Sequence, residues 1–176
     1  MLARADSPLQ FVHEIKDARL NVGPLLSGTA MSATTLYRQL FGTASPEATT
    51  SYLSNEDALV KLTGDKSVDV VVVVAGQPAK LLADMKAEAR GLVKLLRFDA
   101  EHPSSKAALG TYVRATIRAA SYPNLLSEDL PGLAVQAYGK RAIPTLRWLK
   151  RLSDQGRKRI PVRLVKGAYW DSEIKW

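Results

Sequence analysis

Apolar residues recur along this chain in two rhythms, and each rhythm predicts its own elements. Leu20-Asn21-Val22-Gly23 predicts a short strand ending in a glycine turn, and residues 24–28 are turn formers. Ala33, Leu36, Tyr37, Leu40 and Phe41 then share one helical face, and Gly42 stops that helix. Thr43 to Thr50 is a polar loop. Ser54 is an N-cap, with Asp57 three residues on as in a capping box, and Leu59 and Leu62 carry the helix to Gly64. Val68 to Val74 is an unbroken β-branched run, which predicts a central strand buried on both faces. Gly76-Gln77-Pro78 turns into a helix bearing Leu81, Leu82 and Met85. A strand is predicted over Leu92 to Phe98 and a helix over Ala107 to Ala120, broken by Ser121-Tyr122-Pro123-Asn124. Leu133 to Tyr138 is a strand candidate. Ala142, Leu146, Leu149 and Leu152 form a helical stripe, and Ile160 to Val165 is the last strand. Alternating strands and helices predict an α/β fold.

Composition narrows the chemistry. The 176 residues suffice for one domain or slightly more, and 46% of them are apolar. The chain has no cysteine, which excludes disulfides and thiolate chemistry, and two histidines exclude a His-rich metal site. No apolar run approaches the roughly 18 residues of a membrane span. Met1 to Asp6 does not read as an export signal, so the chain as written is expected in the cytoplasm. The net charge of +8 is uneven. Residues 1–138 carry 14 basic and 14 acidic side chains; residues 140–176 carry 11 and 3. Such a step marks a boundary between segments of different character. No aromatic–basic interleaving accompanies it, so a solvated basic helix is favoured over a nucleic-acid partner.

Two constellations carry candidate chemistry. In the first, Ser27, Gly28 and Thr29 stand where a strand feeds a helix. Free amides and the helix dipole there suit a carboxylate; plain helix capping uses the same residues. The words Leu20-Asn21-Val22-Gly23, Ser27-Gly28-Thr29, Val68-Asp69, Ala75-Gly76-Gln77-Pro78 and Ala120-Ser121-Tyr122-Pro123 resemble the TAXI family of solute-binding proteins. These serve tripartite ATP-independent periplasmic (TRAP) transporters. The resemblance implies a periplasmic-binding-protein-like lobe, with a mostly parallel sheet and helices on both faces. It implies that Ser27, Gly28 and Thr29 hold a small carboxylate such as glutamate, with Gly76, Gln77 and Pro78 as a second ligand loop. TRAP membrane subunits would be partners of the parent protein, which would be periplasmic. The family's export signal and first lobe have no counterpart here.

In the second constellation, Lys166 follows strand positions and is flanked by Gly167, Ala168, Tyr169 and Trp170. A strand-end ammonium can pair with a substrate carboxylate; a snorkelling lysine among core aromatics is the structural alternative. Residues 132–142, Gly-Leu-Ala-Val-Gln-Ala-Tyr-Gly-Lys-Arg-Ala, and residues 162–175 resemble the proline dehydrogenase barrel of bifunctional proline-utilisation flavoenzymes. The resemblance implies a strand–helix–strand piece of a (β/α)8 barrel, FAD as cofactor, and oxidation of proline to pyrroline-5-carboxylate. It gives Lys166 to the substrate carboxylate, Tyr169 to the substrate side and Gln136 to the cofactor. Trp176 departs from the family pattern.

The expected organisation is a lead-in over 1–19, a solute-binding-like α/β lobe over 20–131, and a proline-dehydrogenase-like fragment over 132–176. On this reading the chain is first an incomplete carboxylate- or amino-acid-binding lobe joined to an enzyme fragment, without the full activity of either and retaining no FAD. The alternative is an FAD-dependent proline dehydrogenase, with proline as the small-molecule partner.

Overall fold

A computed structural model describes residues 1–135, which form one compact unit. Its strands and helices, in chain order, are β1 (Leu2–Arg4), β2 (Leu20–Asn21), α1 (Gly28–Phe41), β3 (Thr50–Ser51), α2 (Asn55–Thr63), β4 (Val70–Val71), α3 (Lys80–Ala83), β5 (Val93–Leu95), α4 (Pro103–Ala108), β6 (Tyr112–Ile117) and β7 (Leu130–Val135). A 3-10 turn over Val12–Asp17 follows β1.

Five strands make the main sheet in the order β3-β2-β4-β1-β5. β4 is central, and Val70 and Val71 are fully buried, so the double-faced burial expected there is present. The strand is shorter than the valine run: Val73 is half-buried and Val74 exposed, because the chain has passed the neighbouring strands by then. Alternation sorts the side chains onto two faces. Ala3, Leu20, Val70 and Val72 meet Ala33, Leu36, Tyr37 and Leu40 of α1, with Ile15 and Ala108. Leu2, Val71, Val93 and Leu95 meet Ala58 and Leu62 of α2 and Leu82 of α3. Helices therefore cover both faces.

Three expectations need correction. The sheet is mixed rather than mostly parallel. β2 runs parallel to β3 and β4, but β1 inserts antiparallel between β4 and β5. Leu2 and Ala3 are fully buried there, each serving one core. The helix expected over 107–120 ends at Ala108, and Tyr112–Ile117 is strand β6, paired antiparallel with β7 from Tyr112↔Val135 to Ile117↔Leu130. Tyr112, Val113, Thr116 and Ile117 have the branched and aromatic shapes that suit a pleated surface, and Gly110 stops the helix before them. The strand expected from Leu133 already begins at Leu130. The helix and strand expected beyond residue 140 lie outside the described residues.

The caps agree with the pattern. Ser54 Oγ accepts from Asp57 N at 3.1 Å, and Gly42 takes a left-handed φ of 73° behind α1. At the sheet's other end, Asp69 accepts from Arg19 Nε and Nη2, both at 2.8 Å, and from Arg19 N at 3.0 Å. The Arg19 guanidinium pulls the Asp69 carboxyl down to about 2. No described helix is long and apolar enough to cross a membrane.

Candidate functional site

Parallel neighbours in an α/β sheet bring the loops after their carboxyl ends to one edge, where ligands usually bind. β2, β3 and β4 do this here. Val22 N donates to Ser51 O at 3.0 Å and Val72 N to Asn21 O at 2.9 Å, so the three strands leave the sheet side by side. Fully buried Asn21 ties the exits together. Its Oδ1 accepts from Leu53 N at 2.8 Å and from Ser51 Oγ at 3.1 Å, and its Nδ2 donates to Leu53 O at 3.3 Å.

The loops predicted to hold a ligand start at this edge. Gly23 turns the chain with φ 85°, and a Cβ there would stand 3.0 Å from Thr29 Cγ2. Ser27 Oγ accepts from Ala30 N at 3.1 Å, so it caps α1, while Gly28 opens the helix. Gly76, Gln77 and Pro78 are exposed beyond β4. Gln77 Oε1 accepts from Arg118 N at 3.2 Å. Ser27 Oγ and Gln77 Oε1 thus each accept from one of the protein's own amides. The fold brings the starts of the two loops to one edge; their polar side chains fasten the loops.

The sequence reading missed Tyr122, which is buried and whose Oη accepts from Ala79 N at 2.7 Å, anchoring the exit of the second loop. Tyr122-Pro123 after an apolar stretch was a legible turn, but nothing in it pointed to Ala79. A groove of about 270 Å3 lies elsewhere, between β3 and α2. Its cations are committed, Arg19 to Asp69 and Lys61 to Asp65. No group of three or more metal-ligating side chains occurs among the described residues. Lys166, Tyr169 and Gln136 lie outside the described residues.

An open mixed α/β sheet defines only a broad class; comparison with known proteins supplies the family. The proline dehydrogenase family profile matches residues 26–176. The chain therefore belongs to the proline dehydrogenase family. It is similar to the bifunctional protein PutA of Salmonella typhimurium, 47% identical over 53 residues, and to that of Escherichia coli at the same identity and length. PutA of Rhizobium meliloti is 57% identical over 44 residues. These alignments cover 30% and 25% of this chain, and the chain spans about 4% of each relative's length. The solute-binding resemblance gains no support from these matches, and the mixed sheet does not single out a periplasmic-binding lobe.

FAD is the cofactor of this family. Gln136, the residue given to it, lies outside the described residues.

Proposed function

We propose that this chain serves FAD-dependent oxidation of proline to pyrroline-5-carboxylate, and that residues 132–175 supply part of the substrate side. The observation that carries this reading is the family match running to residue 176, together with local identities of 47–57% to PutA proteins. When bound, the flavin accepts the hydride. The chain's own part is recognition. The Lys166 ammonium pairs with the substrate carboxylate, and such a fixed cation orients proline as well as holding it. Tyr169 offers a ring face beside it, and Gln136 a polar contact to the cofactor.

The 1–135 unit takes a supporting role in this reading, because Gln136, Lys166 and Tyr169 all lie beyond it. The solute-binding alternative rests on the Ser27–Thr29 and Gly76–Pro78 loops and gains no support from the family match.

The test is a transplant. Residues 132–175 replace the matching stretch of Salmonella PutA, and dye reduction is followed with and without L-proline. Retained proline-dependent reduction is expected. A folded, flavin-loaded hybrid that no longer reduces dye would contradict the proposal.

A further inference from the structure

The carboxyl edge of β2, β3 and β4 carries no charge. No Asp, Glu, Lys, Arg or His lies between Arg19 and Arg38, between Glu47 and Glu56, or between Asp69 and Lys80. These stretches hold the three strands and the loops that leave their carboxyl ends. The opposite ends of the same strands are crowded with ions: Arg19 pairs with Asp69, Lys61 with Asp65 and Lys66 with Asp6. Along the charge-free edge, apolar side chains stand in water. Leu25 and Leu26 are 67% and 87% exposed, and Met31, Tyr52 and Val74 are exposed as well. They are five of the nine large apolar residues exposed among residues 1–135. Such residues scattered singly need no explanation, but a group on adjacent loops with no charge among them has the composition of an interface centre. Leu26 adds strain. It holds a left-handed φ of 64°, which an L side chain rarely adopts, and its side chain joins neither core.

We infer that this edge is the surface on which a second copy of the chain docks, edge to edge about a two-fold axis. Charge selects the occupant. In a two-fold contact the same patch lies on both sides, so a charged patch would repel its own copy. This one has nothing to repel, and residues 1–138 as a whole are balanced, with 14 basic and 14 acidic side chains. A charged partner would give up its hydration and find no counter-ion. A lipid surface would call for Lys or Arg beside the exposed leucines. The basic residue nearest to them in sequence is Arg19, at the far end of β2 and paired with Asp69. Docking withdraws the exposed leucines and their apolar neighbours from water and needs no new ion pair. It also leaves polar groups satisfied. Ser27 Oγ and Gln77 Oε1 each accept from an amide of their own chain, and those bonds survive when the edge is covered.

The test is sedimentation velocity of the whole chain from micromolar concentrations upward, at low and at high salt. A monomer–dimer equilibrium is expected, and salt should leave it unchanged or strengthen it, because apolar contacts are not screened. Leu26→Asp sets a carboxylate against its own copy in an otherwise uncharged surface, and should raise the dimer Kd by at least about tenfold. Leu26 is almost wholly exposed, so this variant keeps the fold. Tyr52→Asp repeats the test on the neighbouring loop. Val60→Asp, exposed in the second half of α2, should leave the Kd as it is. A chain that stays monomeric at every concentration, a dimer that salt dissociates, or a Leu26→Asp dimer as tight as the wild type would overturn the inference.

Discussion

Single side chains decide how the carboxyl edge of this sheet is built. Gly23 sits at φ 85°, with Thr29 Cγ2 at 3.0 Å from where a Cβ would stand. Gly23→Ala therefore meets both backbone strain and a contact, and is expected to cost about 1–3 kcal/mol in chemical denaturation. Tyr122→Phe leaves the buried Ala79 amide without its acceptor, and a loss of about 1–3 kcal/mol should follow. Asp69 gives a pH signature. Its folded-state value is held near 2 against an ordinary 3.8, so its stabilisation is present above pH 4 and is lost as pH falls through the folded value. About half of Arg19 is exposed, so solvent screening makes the pair worth less than the full shift. Asp69→Asn should flatten the stability curve between pH 5 and pH 2. An unchanged curve would show that the pair contributes nothing.

At the scale of elements, legibility followed how local the determining physics was. The α1 stripe, the Ser54 cap and the Gly42 stop depend on neighbours within a few residues, and each stands as expected. β1 was invisible because three residues carry no period; only long-range pairing with Val70–Val71 and Val93–Leu95 makes Leu2–Arg4 a strand. β6 lies inside the stretch expected to be helical, 107–120, although Gly110 and branched residues fall within it. Its pairing with β7 decided the matter. The Ser27–Thr29 and Gly76–Pro78 loops start at the sheet's carboxyl edge, but the use of their side chains was not legible. Whether Ser27 caps a helix or receives an anion depends on partners that a sequence does not display, and here the partner is Ala30 N. At this scale Leu62→Ala is a sharp probe: fully buried on α2 in the core with Leu2, Val71 and Val93, it should cost about 2–5 kcal/mol, measurable as a lower denaturation midpoint.

Along the whole chain, an α/β unit with two cores is followed in sequence by a segment that carries the sharpest chemical signature. The charge step near residue 139 and the Lys166 motif both marked that second segment, and the family match agrees with the motif. The comparisons support the shorter and more specific proline dehydrogenase resemblance and give none to the longer solute-binding one. The central claim is that Lys166 binds the proline carboxylate. It is tested most directly by Lys166→Ala within the transplanted segment, comparing kcat/KM for L-proline with flavin content read from the absorbance bands. Losing one partner of a desolvated, hydrogen-bonded charge pair costs about 2–5 kcal/mol, so kcat/KM should fall by roughly 30-fold or more at unchanged flavin content. An unchanged kcat/KM in a fully flavin-loaded variant would contradict the account.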